Sequence, residues 1–242
     1  MPPSLENPFT PKSAIPQKRL FGDEERIVKR KLGKQAQERI KETKEKFVQY
    51  GDKQILKSQA KFLYEMEKEL MGIAKETGKE LSEKDVVEAL ARKIKLNESG
   101  SIIDINFKNM GLKYLPSLDK LTNLEKIFCN HNNLIDFPSL DKLTHLIDLS
   151  CPYNKLTKLP NLDNLTNLRR FACYENELAS LPSFDKLTNL EALDCSINNL
   201  TSLPSLEKLT KLKLIACEKN KFSEQEKTKI KSQVPENCRV EI

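Results

Sequence analysis

From about residue 101 onward the chain repeats itself every 22 residues, and this period constrains its fold more than any other feature. Leu112, Leu134, Leu156, Leu178, Leu200 and Phe222 stand at that spacing, and Asn132, Asn154, Asn176, Asn198 and Asn220 run beside them. A period of this length marks a stack of small units, none of which can bury its apolar face alone. The clearest copy, Leu146 to Leu156, reads L-x-x-L-x-C-x-x-N-x-L. Its first half alternates inward and outward as a strand does. Copies in register therefore stack into a parallel sheet. Twenty-two residues leave too little chain for a long return helix, and Pro116, Pro138, Pro160, Pro182 and Pro204 occupy that path. Proline lacks the N–H a helix needs, so the return is expected as extended chain with a short 3₁₀ turn.

This pattern resembles the leucine-rich repeat family, with cysteine where the family usually has leucine. Five full copies and degenerate copies at both ends carry the resemblance over residues 101–242. The resemblance implies an α/β solenoid, a short leucine-rich repeat horseshoe of six or seven strands whose concave sheet recognises protein partners. The 22-residue spacing is similar both to internalin-type repeats of bacteria and to intracellular phosphatase-regulator repeats, so a scaffold, a regulator or an exported effector all fit.

The constant rows read as structure. Five of the six cysteines, Cys129, Cys151, Cys173, Cys195 and Cys217, share one inward position, where free cysteine behaves as a small hydrophobe. They form a ladder, not a disulfide framework, and a reducing compartment suits them. The repeated Asn follows the strand, where its amide can satisfy loop backbone in the interior. Ser117, Ser139, Asn161, Ser183 and Ser205 open the return turns, each followed two residues later by an acid. At the far end Ser223 to Glu226 reads as a capping box opening a helix. Ile230 and Val234 are expected to pack inward, and Cys238, Val240 and Ile242 alternate as a last edge strand.

Before the repeats the chain changes character. Residues 1–20 are rich in Pro and Ser and read as disordered. Residues 21–81 carry alternating charge with helical apolar spacing. Val28, Leu32, Ala36 and Ile40 form a narrow seam that Phe47 continues, Gly51-Asp52 breaks it, and Leu56, Ala60, Leu63, Met66, Leu70 and Ile73 give a second stripe ending near Thr77-Gly78. These helices either form a hairpin or dimerise as a coiled coil. Residues 82–100 start with Ser82 to Asp85, a helix N-terminus, and a capping helix is expected over 82–96, with Val86, Val87, Leu90, Ala91 and Ile94 as its apolar face. The exposed core at a solenoid's end requires such a cover.

Net charge is +6. Residues 1–100 hold +5 of it (22 basic less 17 acidic) and residues 101–242 hold +1 (19 less 18). A near-neutral solenoid argues against nucleic acid, and the cluster Arg26 to Lys34 reads as a solvated helix face that Glu38, Glu42 and Glu45 can pair. No membrane span and no secretory signal pattern are read, which points to the cytoplasm or to export by another route. No cofactor or metal is implied, because neither C-x-x-C nor a Cys/His cluster occurs. His131 and His145 are the two histidines, and they assemble no catalytic set, so the chain reads as non-catalytic.

Function is therefore sought in the rows that vary. The third, fifth, seventh and eighth positions of the strand unit point out of the core, and their residues change from copy to copy. Phe128, Tyr153, Tyr174 and Ile197 are apolar or aromatic side chains on adjacent repeats, the residue types that anchor protein interfaces. His131, Asp148, Arg170, Glu175 and Asp194 surround them. A protein partner held on these residues is the expected function. The alternative is an assembly role, with the basic N-terminal helices self-associating or binding an anionic surface and the repeats as support.

Overall fold

A computed structural model describes residues 47–242. The expectations for residues 1–20, and for the basic cluster and apolar seam before Phe47, lie outside the described residues.

The seam does not continue through Phe47. Residues 47–56 show no strict alternation, with Phe47-Val48 and Ile55-Leu56 as apolar pairs, yet they form a hairpin of β1 (Phe47–Tyr50) and β2 (Lys53–Leu56), with Tyr50 and Ile55 buried. Gly51 and Asp52 are its two-residue turn. Gly51 has φ +59°, and a Cβ there would come within 2.9 Å of the Ala91 Cβ. Both facts require glycine at the first turn position, as the hairpin geometry does. A helix break and a hairpin turn share the same residues, and strands of four residues are too short for periodicity to decide between them.

Helix α1 (Lys57–Glu76) follows directly. Its C-terminus is a Schellman motif: Lys79 N–H bonds to Ala74 C=O at 2.9 Å, Gly78 N–H to Lys75 C=O at 3.3 Å, and Gly78 takes φ +68°. The buried stripe is Gln59, Phe62, Leu63, Met66 and Ala74, set against the first repeat, where Phe62 stacks on Phe107 at 6.1 Å between centroids. Of the apolar stripe expected from the sequence, Leu63 and Met66 are buried in the chain's own core, and Ala60, Leu70 and Ile73 are partly buried against it. Helix α2 (Glu83–Ala91) opens with a capping box between Ser82 and Asp85. It stops five residues earlier than the expected 82–96. Lys93 to Leu96 alternates polar and apolar, and Ile94–Leu96 forms β3, antiparallel to the first repeat strand.

The repeats form β4 (Ile102–Asn106), β5 (Lys126–Phe128), β6 (Asp148–Ser150), β7 (Arg170–Ala172), β8 (Ala192–Asp194) and β9 (Leu214–Ala216). Helix α3 (Glu224–Gln233) and strand β10 (Arg239–Glu241) complete the chain. One eight-stranded sheet runs β10-β9-β8-β7-β6-β5-β4-β3, parallel from β4 to β10. The return path carries no helix. It is a pair of tight turns, such as Leu121 N–H to Leu118 C=O and Leu124 N–H to Leu121 C=O, both 2.8 Å. These i to i+3 bonds are the short 3₁₀-type turns expected from the proline row.

Each asparagine sews two units together. The Asn154 amide donates to the carbonyls of Cys129 (3.1 Å) and Cys151 (3.0 Å), and its oxygen accepts from Leu134 N–H (3.0 Å). Asn132, Asn176, Asn198 and Asn220 repeat the arrangement. Backbone groups that the turn would otherwise leave unpaired in the interior are satisfied. A second row does the same on the return side. Asn167 and Asn189 donate to Thr144 and Thr166 carbonyls at 2.8 Å, and His145 stands in that row with its Nδ1 3.1 Å from Thr122 O. Asn123, His145, Asn167 and Asn189 are 22 residues apart, so this row is present in the sequence as a period, although none of its side chains is buried.

At the far end Ser223 accepts Glu226 N–H at 3.2 Å, but the expected capping box does not close. The Glu226 carboxylate instead accepts Leu203 N–H at 3.1 Å, tying α3 to the last return path. Ile230 is buried and Val234 half-buried.

Candidate functional site

The outward face of the sheet is built from the third and fifth positions of each unit, because strand alternation sends them away from the leucine core. Register pairs Lys95, Asp104, Lys126, Asp148 and Arg170 in one line across β3 to β7. Charge alternates along this line. Lys95 Nζ lies 3.3 Å from Asp104, and Arg170 Nε donates to the Asp148 carboxylate at 2.9 Å. Both aspartates are only 7% exposed. A nearly buried carboxylate is tolerated when an opposite charge and hydrogen bonds compensate it. Asp148 and Arg170 are therefore engaged with each other. Arg170 stays over half exposed, and the carboxylate beside it holds its guanidinium pKa above the usual value. Beyond Arg170 the line turns apolar, with Ala192 and then Leu214.

The aromatic residues gather at the strand-to-loop edge. The His131 ring lies on Tyr153 at 4.0 Å with 11° between planes, and Tyr153 meets Tyr174 edge-on at 5.3 Å. Three consecutive repeats thus contribute one continuous ring surface. Burial, then the neighbouring Tyr153 and Asp194, push the Tyr174 phenol upward. Phe128 stands apart on β5, half-buried, with Lys108 Nζ 5.0 Å from its ring centre. Asp194 accepts Ser196 N–H at 3.1 Å, and Glu175, next to Tyr174, and Ile197, on the repeat of Asp194, are half-buried. The structure so brings together His131, Tyr153 and Tyr174 in one group and Asp148 with Arg170 in another. Phe128 belongs to neither.

The eighth row also has a backbone signature that its side chains do not announce. His131, Tyr153, Glu175, Ile197 and Lys219 all have φ between 52° and 54°. Left-handed backbone disfavours side chains with a Cβ, most of all a β-branched one such as Ile197. The next repeat enforces it: His131, Tyr153, Glu175 and Ile197 N–H groups bond to the carbonyls of Pro152, Tyr174, Ser196 and Glu218 at 2.8–3.1 Å. Asn109, in the first unit, holds the same conformation with a residue that tolerates it.

The ladder thiols are closed to chemistry. Burial pushes Cys151 and Cys217 up to about 12 and the other three upward as well. Cys129 and Cys151 direct their sulfurs to carbonyls of the following unit. Only the thiolate is a nucleophile or metal ligand. Among the described residues, no group of three or more His, Cys, Asp or Glu is placed to hold a metal ion. None of the described helices is long and apolar enough to cross a membrane. The repeated Asn and Cys rows are consumed by structure.

No family model matches the chain, and no curated protein does. Among solved structures it is similar to an LRR protein of Leptospira interrogans, at 26% identity and a TM-score of 0.46. The match covers 54% of this chain and 40% of that one, so this chain spans less than half of that protein.

Proposed function

We propose that this chain is a leucine-rich repeat recognition module that holds a protein partner on the concave face of a short horseshoe, with the His131, Tyr153 and Tyr174 rings as the anchor. The observation that carries this reading is the placement of the His131 and Tyr153 rings on left-handed backbone, with Tyr174 packed edge-on against Tyr153. The eighth position is held left-handed in every unit, where Asn or Gly is the least strained choice, yet it carries His, Tyr, Glu and Ile on successive repeats. Residues that cost stability where a milder one would serve point to a role outside folding. Stacked rings also present rigid area with little entropy left to lose on binding. The polar surround differs from the one read in the sequence. Asp148 and Arg170 neutralise each other, which leaves Glu175 and Asp194 as the carboxylates offered to a partner.

The test is Tyr153→Ala combined with Tyr174→Ala in the full chain, used to capture partners from source lysate beside the wild type. A protein retained by the wild type and lost by the double variant, with the circular dichroism spectrum unchanged, supports the reading. Equal retention by both sinks it. Retention that follows residues 1–46 alone would move the function to that segment.

A further inference from the structure

The sheet ends on β10, whose far side is paired with nothing among the described residues. Arg239 N–H bonds to Lys213 C=O at 2.9 Å and Glu241 C=O accepts Cys217 N–H at 2.8 Å. These two residues turn their backbone groups toward β9. Alternation along a strand then turns the N–H and C=O of Val240 away from it. We propose that β10 is a self-pairing edge, on which a second copy of this chain docks antiparallel with a two-fold axis through Val240.

Three observations select a second copy as the occupant. Antiparallel pairing about Val240 makes it a hydrogen-bonded pair with itself, each copy donating its N–H to the other's C=O. The same register sets Arg239 opposite the other copy's Glu241, and Glu241 opposite its Arg239, so the charges complement twice by symmetry. Today that pair is satisfied within one strand, Arg239 to Glu241. Beneath the strand, Val240, Ile242, Val234 and Cys238 are only partly buried against the core. The two-fold would set this incomplete core end against its own copy. The opposite edge is treated differently. There Lys53 Nζ takes the Ile94 carbonyl at 3.0 Å, and a lysine on an edge discourages further pairing.

The experiment is sedimentation velocity on the full chain from about 1 to 200 µM, since so short an edge predicts a weak dimer with Kd of roughly 10–100 µM. Val240→Pro removes the outward N–H at a strand position where proline is tolerated, and dimerisation should be lost. Arg239→Glu and Glu241→Arg should each weaken association about tenfold, and the two together should restore it. Circular dichroism checks folding, and the charge variants carry the test should the proline variant unfold. A wild type that stays monomeric over the whole range overturns the proposal. So does Val240→Pro, folded, dimerising like the wild type, which would place any contact elsewhere, residues 1–46 included. Failure of the charge swap to restore the dimer rules out the antiparallel register.

Discussion

The two ends of the solenoid solve one problem in different ways. At the N-terminal end a hairpin, two helices and a reversed strand cover the first repeat, burying Ile55, Phe62, Leu63, Met66, Val86 and Leu90. At the C-terminal end α3 buries one side chain, Ile230, and the chain then adds β10 in the same direction as the repeats. The first end replaces the missing neighbour with a different structure. The second continues the ladder by one more strand, whose outer edge is unpaired among the described residues. The N-terminal cap is therefore a small core in its own right, whereas the C-terminal cap buries Ile230 and leaves Val234, Cys238, Val240 and Ile242 partly covered.

The most pronounced difference between the ends should be kinetic. Cys238, beside the last strand, is half-buried, whereas the five ladder cysteines are buried. A thiol reagent under native conditions should modify Cys238 at least about a hundredfold faster than the others, which react only on unfolding. Mass spectrometry after a short pulse reads this, and early modification of Cys217 would show that the C-terminal cap frays as a unit.

Side-chain truncation comes next. Phe62→Ala should cost about 4 kcal/mol, because its ring fills the seam against Phe107. Ile230→Ala should cost about 2 kcal/mol, since a cap with little around it can relax. Urea denaturation measures both, and equal losses would break the comparison.

A smaller contrast lies in the polar ties. Gln59, 1% exposed, accepts Ile102 N–H at 2.9 Å and donates to Lys120 C=O at 3.2 Å. Gln59→Leu strands both groups and should cost about 2–3 kcal/mol. Glu226→Ala frees the part-buried Leu203 N–H and a surface ion pair with Lys229, and should cost about 1 kcal/mol. Thermal melts of the two variants order them.

The smallest effect is in pH. Hydrogen bonds from Ser82 hold the Asp85 carboxyl below its ordinary value. Its contribution is complete above the ordinary aspartate range, near pH 4, and fades as pH falls through the lowered folded value. Asp85→Asn should flatten that acid limb slightly. An unchanged limb would mean the box adds nothing to the N-terminal cap.

Much of the solenoid was legible because its rows are periodic. Leucine, cysteine, asparagine and proline each recur at 22, and a recurring residue needs one physical reason to explain every copy. The caps were harder. Phe47 to Leu56 fits a helix stripe with a break as well as a hairpin, because each strand is only four residues long, and four residues fit either period. Ile94 belongs to the same core on a strand as on the expected helix, since a buried isoleucine satisfies both a helix face and a strand. Gln59 escaped notice because a glutamine on a helix is ordinarily solvent-facing, and only the open N–H of Ile102 makes it structural. In the candidate site, Tyr153 and Tyr174 could be named from the rows they occupy. That His131 would stack on Tyr153, and that Asp148 would be spent on Arg170, depended on side chains from separate repeats meeting.

The sequence by itself determined the repeat, the in-register parallel sheet, the direction of every core row and the helix starts at Ser82 and Ser223. Each of these follows from spacing along one chain and the local bonding of short segments. Only the tertiary structure decided how the ends are closed, which charges cancel, and that the eighth row is held left-handed by the carbonyls of the next repeat. Those outcomes rest on contacts between units, where burial and unpaired backbone groups select among local conformations that the sequence alone leaves nearly equal.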